Sequence, residues 1–222
     1  MPTTSNASRP STRRGSARAA TIGRPASSRS SGNGRARGRS AEPRLARDAV
    51  EIQPFGTLRT LPIGLADKAR GESCELLNAI LADSLILYAL YKKQHWLVAG
   101  PTFYQLHLLF DKHAEEQLAL IDEVAERIQS LGGIAVGDPR HAAELTTIER
   151  APDGAEPVPE MITRLLDAHE TITGKVRDAI DRTEASKDWG TSDLLMGDVL
   201  RRHELQVWFL SQHLVDVPLS ED

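Results

Sequence analysis

The chain has 222 residues, 27 of them Lys or Arg and 31 Asp or Glu, for a net charge of −4. That is enough for one sizeable core plus a tail, and its lone cysteine, Cys74, excludes an intrachain disulfide and suits a reducing compartment. No apolar run reaches the ~18–20 residues that span a bilayer, and the N-terminus lacks the apolar stretch of a secretory signal, so neither a membrane anchor nor export is expected.

The modest net charge conceals a split. Residues 1–47 hold eleven Arg, no Lys and one acid, Glu42, for +10, whereas the remaining 16 basic and 30 acidic residues give −14. The arm is built from Ser, Arg, Gly, Ala and Pro, and offers too little apolar surface to offset the entropy of ordering it. It is predicted to be a disordered basic arm with a polyanionic partner. Its arginines, chiefly Arg9, Arg13, Arg14, Arg18, Arg24, Arg29, Arg35, Arg37 and Arg39, suit phosphate contacts with DNA that read no sequence. An inert solvated tail and a transit peptide are the alternatives. Residues 48–64 form a connecting segment, with apolar residues suited to packing on the exterior of the body.

The body, residues 65–217, reads as all-α. Residues 65–98 carry apolar positions at helical spacing, among them Leu77, Ile80, Leu81 and Leu87, with no proline. Gly100-Pro101 ends this first helix, and the second runs from Pro101 or Thr102 to Leu131, stopping at Gly132-Gly133. A connection over 134–156 contains a short helix at His141–Glu149. A third long helix runs from about Pro159 to Ser186. A fourth, capped by Thr191 or Ser192, ends near Val215. No strand alternation and no repeat occurs. The pattern predicts a four-helix bundle with a long crossover between the second and third long helices.

The second helix holds the chemistry. A helix turns about 100° and rises about 1.5 Å per residue, so with His107 at 0°, Asp111 falls near 40°, Asp122 near 60° and Glu126 near 100°. All four share one stripe, yet Asp111 and Asp122 lie roughly 16 Å apart along the axis. Metal–ligand bonds of about 2.0–2.2 Å cannot join the two pairs within one chain. An antiparallel copy related by a two-fold axis near residues 116–117 would place His107 and Asp111 of one chain against Asp122 and Glu126 of the other, twice per dimer. Leu118, near 20°, would pack close to that axis. Imidazole and carboxylate together suit divalent iron, manganese or zinc, and few protein ligands leave positions open for an oxidant. Glu-x-x-His pairs, which build di-iron centres inside single bundles, are absent from the sequence.

The stretch KKQHWLVAGPTFYQLHLLFDKHAEEQLALIDEVAERIQSLGG resembles the signature of the Dps family, the ferritin-like DNA-protecting proteins of starved bacteria. The likeness covers about residues 70–215 and extends to WFLSQHL (Trp208–Leu214). It implies a twelve-subunit hollow cage in the cytoplasm, associated with the nucleoid. It also implies oxidation of ferrous iron, preferentially by hydrogen peroxide, with ferric mineral stored inside. By this likeness His95, His107 and Asp111 are the ferroxidase ligands from one subunit, and Asp122 and Glu126 those from its two-fold mate. Trp96 and Lys92 lie beside the centre in relatives. Asp188 and Asp193 sit where an iron entry pore is often lined, although Asp193 equally suits the first turn of the last helix. His113, at 240° and off the stripe, and His141, His169, His203 and His213 read as core or surface histidines. Two other readings stand beside the ferroxidase cage: a structural, DNA-compacting nucleoid protein with an idle metal site, and a cage that holds zinc or manganese there.

Overall fold

The computed structural model describes Leu45, Arg47 and residues 50–216. The arginines from Arg9 to Arg39 lie outside the described residues. The regular elements of the described part are helices: α1 (Asp67–Leu97), α2 (Phe103–Ser130), a short α3 (Pro139–Leu145), α4 (Val158–Ala185), α5 (Trp189–Leu194) and α6 (Arg201–Ser211). A π-helical turn, Leu195–Leu200, joins α5 to α6, and a short 3₁₀ turn, Gln212–Leu214, follows. The residues at both junctions keep right-handed helical dihedrals, so α5, the π turn and α6 run on as the fourth long helix. Among the described residues there is no strand. The chain is an all-α, ferritin-like four-helix bundle with its crossover between the second and third long helices.

The bundle closes because each helix turns an apolar stripe inward. Leu77, Leu87 and Tyr91 of α1 meet Leu106, Phe110 and Ile128 of α2, Ile162 and Ile172 of α4, and Leu195 and Leu210 of the last helix. A fully buried Leu or Ile stabilises by about 1.5–3 kcal/mol, so this stripe supplies the main driving force. α1 is in fact long and apolar enough to cross a membrane by length and composition. That corrects the expectation that no stretch reaches this length. Isolated polar residues such as Asn78, Asp83 and Ser84 interrupt the run without lowering its average enough. More than half of the stretch is buried against neighbouring helices, as befits a core helix.

Gly132 ends α2 with a left-handed φ of 89°, and Gly133 N–H donates to the Ile128 carbonyl at 3.0 Å. A Cβ on Gly132 would lie 2.6 Å from the Arg59 carbonyl oxygen. That space is occupied by the connecting segment, which crosses here as a strap. Arg59 N–H and Gln53 Nε2 both donate to the Gly132 carbonyl at 2.9 Å. The fully buried Arg70 donates to the carbonyls of Arg59 and Leu131. Phe55 packs edge-on against His141. The strap lies on the outside of the helices and is held chiefly by these polar contacts, with Val50, Ile52 and Ile63 left exposed.

The crossover is tied to α1 as well. Asn78 donates to the Ile134 carbonyl and accepts from Val136 N–H. Asp83, with no exposed surface, accepts from Thr146 Oγ1 at 2.7 Å, Thr147 N–H at 2.9 Å and Lys175 Nζ at 2.5 Å. It links α1, the crossover and α4 at one point.

The last helix differs from expectation. Its cap is Asp188, which accepts from Thr191 N–H and Oγ1, and not Thr191 or Ser192. A carboxylate one turn earlier satisfies the first free N–H groups and pairs with Arg127, an electrostatic gain that neither hydroxyl offers. The π turn had no sequence signal.

Candidate metal centre

The Gly100-Pro101 turn, with Gly100 at φ 98°, brings the last turn of α1 beside the first turns of α2. His95 and His107 meet there as stacked rings, 3.8 Å between centroids and 17° between planes. Each ring's Nδ1 lies 2.8 Å from the other residue's backbone carbonyl oxygen. A carbonyl only accepts, so both Nδ1 atoms carry hydrogen, and in the neutral form of each ring the lone pair is left on Nε2. A hydrogen bond that fixes one ring nitrogen is how proteins orient the other toward a metal. Phe103 backs the His107 ring at 5.0 Å.

Asp111, one turn along from His107, has Oδ1 3.9 Å from His95 Nε2. The same oxygen accepts from Lys92 Nζ at 2.5 Å. That bond is the main reason its carboxyl is held below the usual carboxylate range, so it stays ionised. Trp96 is 69% exposed beside these groups and makes no ring contact among the described residues. His95, His107 and Asp111 are thus brought together, with Lys92 as an ion-pair partner.

Asp122 and Glu126 are not part of that group. Both are exposed on the same outward stripe of α2, further along the helix. Beside Asp122 opens a groove of about 670 Å³ walled by Leu81, Leu85, Leu118, Ile121 and Ala125. Leu118 is 51% exposed. Within one chain, and among the described residues, no three His, Cys, Asp or Glu side chains converge as a metal site. The His107/Asp111 pair, the Asp122/Glu126 pair and an apolar groove therefore lie along one helix face.

The bundle interior holds a second polar group. Tyr91, with no exposed surface, has its hydroxyl 2.5 Å from His169 Nε2 and 3.1 Å from His113 Nδ1. His169 Nδ1 lies 2.8 Å from His203 Nδ1. Gln117 approaches His203 Nε2 at 3.4 Å and donates to Gln206 Oε1, which in turn donates through Nε2 to Glu116. All four long helices contribute. Burial disfavours the charged imidazoles: His113 is lowered to about 4, His203 to about 3, and His169 falls well below its ordinary value. The three are neutral at pH 7.

The ferritin-like domain family matches residues 74–220. DpsC from Streptomyces coelicolor superposes with a TM-score of 0.76 and 59% identity, covering 78% of this chain and 100% of that one. DNA protection during starvation protein 2 of Bacillus anthracis is 32% identical over 63% of this chain and 94% of its own length. The chain belongs to the Dps family. A third relative, the nutrient stress-induced DNA-binding protein of Synechococcus, is 31% identical over 69% of this chain and 87% of its own.

Two expectations within this Dps chain need correction or extension. Asp188 does not line a pore here: it is 2% exposed, and its carboxylate is taken by Arg127 and Thr191. Asp193 is exposed. His113, His169 and His203 are core histidines, as read, but their assembly around Tyr91 went unforeseen. They stand on three different helices, and no spacing within one helix links them. His141 packs on Phe55, and His213 is exposed.

Proposed function

We propose that the chain is the subunit of a ferroxidase and iron-storage cage, a dodecamer assembled from isologous dimers. In each dimer His95, His107 and Asp111 of one protomer face Asp122 and Glu126 of the partner subunit, and ferrous iron is the substrate they bind. The observation that carries this reading is the reciprocal pair of Nδ1–carbonyl bonds, which presents two lone-pair nitrogens beside an ionised Asp111. The groove around Leu118 fits a second copy of α2 laid antiparallel, and burying it supplies the association energy. Two ferrous ions at such a site give one electron each to hydrogen peroxide, which takes two protons and leaves as two waters. No hydroxyl radical is released, and ferric iron passes inward as mineral.

The experiment is complementation. Cages made wholly of His107→Ala or wholly of Asp122→Asn should oxidise ferrous iron with peroxide at no better than about a hundredth of the wild-type rate. Mixed cages from co-expressed variants should recover activity, because some dimers pair an intact imidazole half with an intact carboxylate half. Mixed cages as slow as their parents would remove the shared site.

A second reading, the structural DNA-compacting protein with an idle metal site, draws on the Lys92–Asp111 ion pair, since the ammonium already neutralises one ligand. Zinc or manganese held by the same side chains is the third. An absence of peroxide-dependent iron oxidation in wild-type cages of normal mass would favour these two.

The arm, residues 1–47, is the DNA tether in this proposal, in a protein of the cytoplasm associated with the nucleoid. A body at −14 repels phosphate, so arms at +10 must carry the binding. Removing residues 1–47 should abolish the mobility shift of duplex DNA at about 50 mM salt, and full-length protein should lose its shift steeply as salt rises. Equal shifts with and without the arm would leave it an inert tail.

A further inference from the structure

The interior group of Tyr91, His113, His169 and His203 takes no part in the exposed half-site, yet it lies close to it. Tyr91 is one turn before His95 on α1, about 6 Å along the axis. Its ring is 6.3 Å from that of Phe110, the residue before Asp111. A phenol sealed from water and bonded to two imidazoles is an expensive thing to place in a hydrophobic core, because each polar partner must be satisfied exactly once. The arrangement has one chemical property that an exposed tyrosine lacks. Removing an electron from a phenol makes its proton strongly acidic, and here a neutral imidazole nitrogen, His113 Nδ1, waits 3.1 Å away to take it.

We propose that Tyr91 is a redox-active tyrosine that supplies the second electron when a composite site meets peroxide with only one ferrous ion bound. This rests on the composite-site reading. One ferrous ion alone would split peroxide into hydroxide and a hydroxyl radical. With Tyr91 in reach, one electron comes from the ferrous ion and one from the phenol. The peroxide O–O bond breaks, and the products are ferric iron, a Tyr91 phenoxyl radical, one hydroxide and one water. The phenol O–H bond breaks and its proton passes to His113 Nδ1, 3.1 Å away. The proton count closes when that proton, kept on His113, is balanced by one taken from solvent at the iron site to complete the water. His169 Nε2–H donates to the phenol oxygen from the other side at 2.5 Å. That tautomer follows from the Gln117 amide, whose N–H groups face Gln206 Oε1 and His203 Nε2, so that the His203 hydrogen lies on Nδ1 and donates to His169 Nδ1. Neither other tyrosine has this setting: Tyr104 is 68% exposed and Tyr88 is partly exposed.

The test uses full-length cages mixed anaerobically with one ferrous ion per composite site and then with hydrogen peroxide, frozen rapidly and read by electron paramagnetic resonance. Wild-type protein should give a radical signal that narrows when ring-deuterated tyrosine is incorporated. The signal should be lost in Tyr91→Phe and kept in Tyr88→Phe, Tyr104→Phe and Trp96→Phe. Tyr91→Phe should also release severalfold more spin-trapped hydroxyl radical under these conditions. With two ferrous ions per site it should oxidise iron at the wild-type rate. Should Tyr91→Phe fail to fold, 3-fluorotyrosine in wild-type cages keeps every hydrogen bond and should add fluorine splitting to the signal. A wild-type signal that is absent, insensitive to tyrosine labelling, or unchanged in Tyr91→Phe overturns the inference. So does equal spin-trap yield from wild type and Tyr91→Phe. Wild-type cages that oxidise no iron even at two ferrous ions per site would instead remove the composite site itself, and this inference with it.

Discussion

Lowering the pH from about 7 to about 5 should weaken the bundle by roughly 2 kcal/mol each for His113 and His203, with His169 acting in the same direction. His113 and His203 titrate at about 4 and about 3 in the fold, and His169 well below its ordinary value, against about 6.5 in an unfolded chain. Between those values the unfolded chain binds protons that the folded one refuses. The stability they allow is complete above about pH 6.5 and is lost progressively as pH falls, toward about 4 at His113 and about 3 at His203. Burial is the first cause for all three. Glu116 opposes it at His113, while Lys112 adds to it. At His169 the neighbouring His203 and His113 add to it. Asp111, Glu116, Asp138 and Asp188, all held below the usual carboxylate range, act in the same direction only at still lower pH. The measurement is the urea midpoint against pH at fixed protein concentration, since assembly contributes to apparent stability. His203→Gln should flatten the curve between pH 5 and 7. Equal midpoints at those two pH values for the unaltered chain would mean that the histidines are not sealed from protons.

Replacing Asp83 by Ala should cost about 3 kcal/mol or more. The side chain is fully buried and holds Lys175, the Thr146 hydroxyl and the Thr147 N–H together. Without it a buried N–H and a hydroxyl lose their acceptor, an ammonium on α4 loses its counter-charge, and a cavity opens on α1. Lys175 is partly exposed and can turn to water, which keeps the loss at the lower end of what breaking a buried pair costs. Asp83→Asn should lose less, because its amide oxygen still accepts from the Thr147 N–H. The two variants are compared by thermal and urea unfolding, and a change below about 1 kcal/mol for Asp83→Ala would show that the crossover is held elsewhere.

How far the sequence could be read depended on whether a feature lay within one helix or between several. The stripe of His107, Asp111, Asp122 and Glu126 is a property of helical pitch, so spacing alone separated the two halves and implied a partner. The Gly100-Pro101 and Gly132-Gly133 stops likewise follow from backbone chemistry local to those residues. His95 stands out as a ligand-type residue at the end of the first helix, but it needed the turn between α1 and α2 to bring it to His107, and its role beside that residue came from the resemblance to a known family. The core cluster was not legible. His169 and His203 are 34 residues apart, on helices whose packing no periodicity fixes, and their contact depends on the bundle having already closed. Asp188 shows a similar limit: as an acid near a helix start it suits an exposed pore, a cap or an ion pair, and only its burial against Arg127 decides.

The strap also bears on how force would travel through the chain. Gln53, Arg59 and Arg70 lash it to the carbonyls of Leu131 and Gly132, at the end of the same helix that carries Asp122 and Glu126. Any load drawn through the chain before residue 50 is delivered to that helix terminus through these bonds. A grip on the outside and the geometry of the carboxylate pair thus share one mechanical anchor.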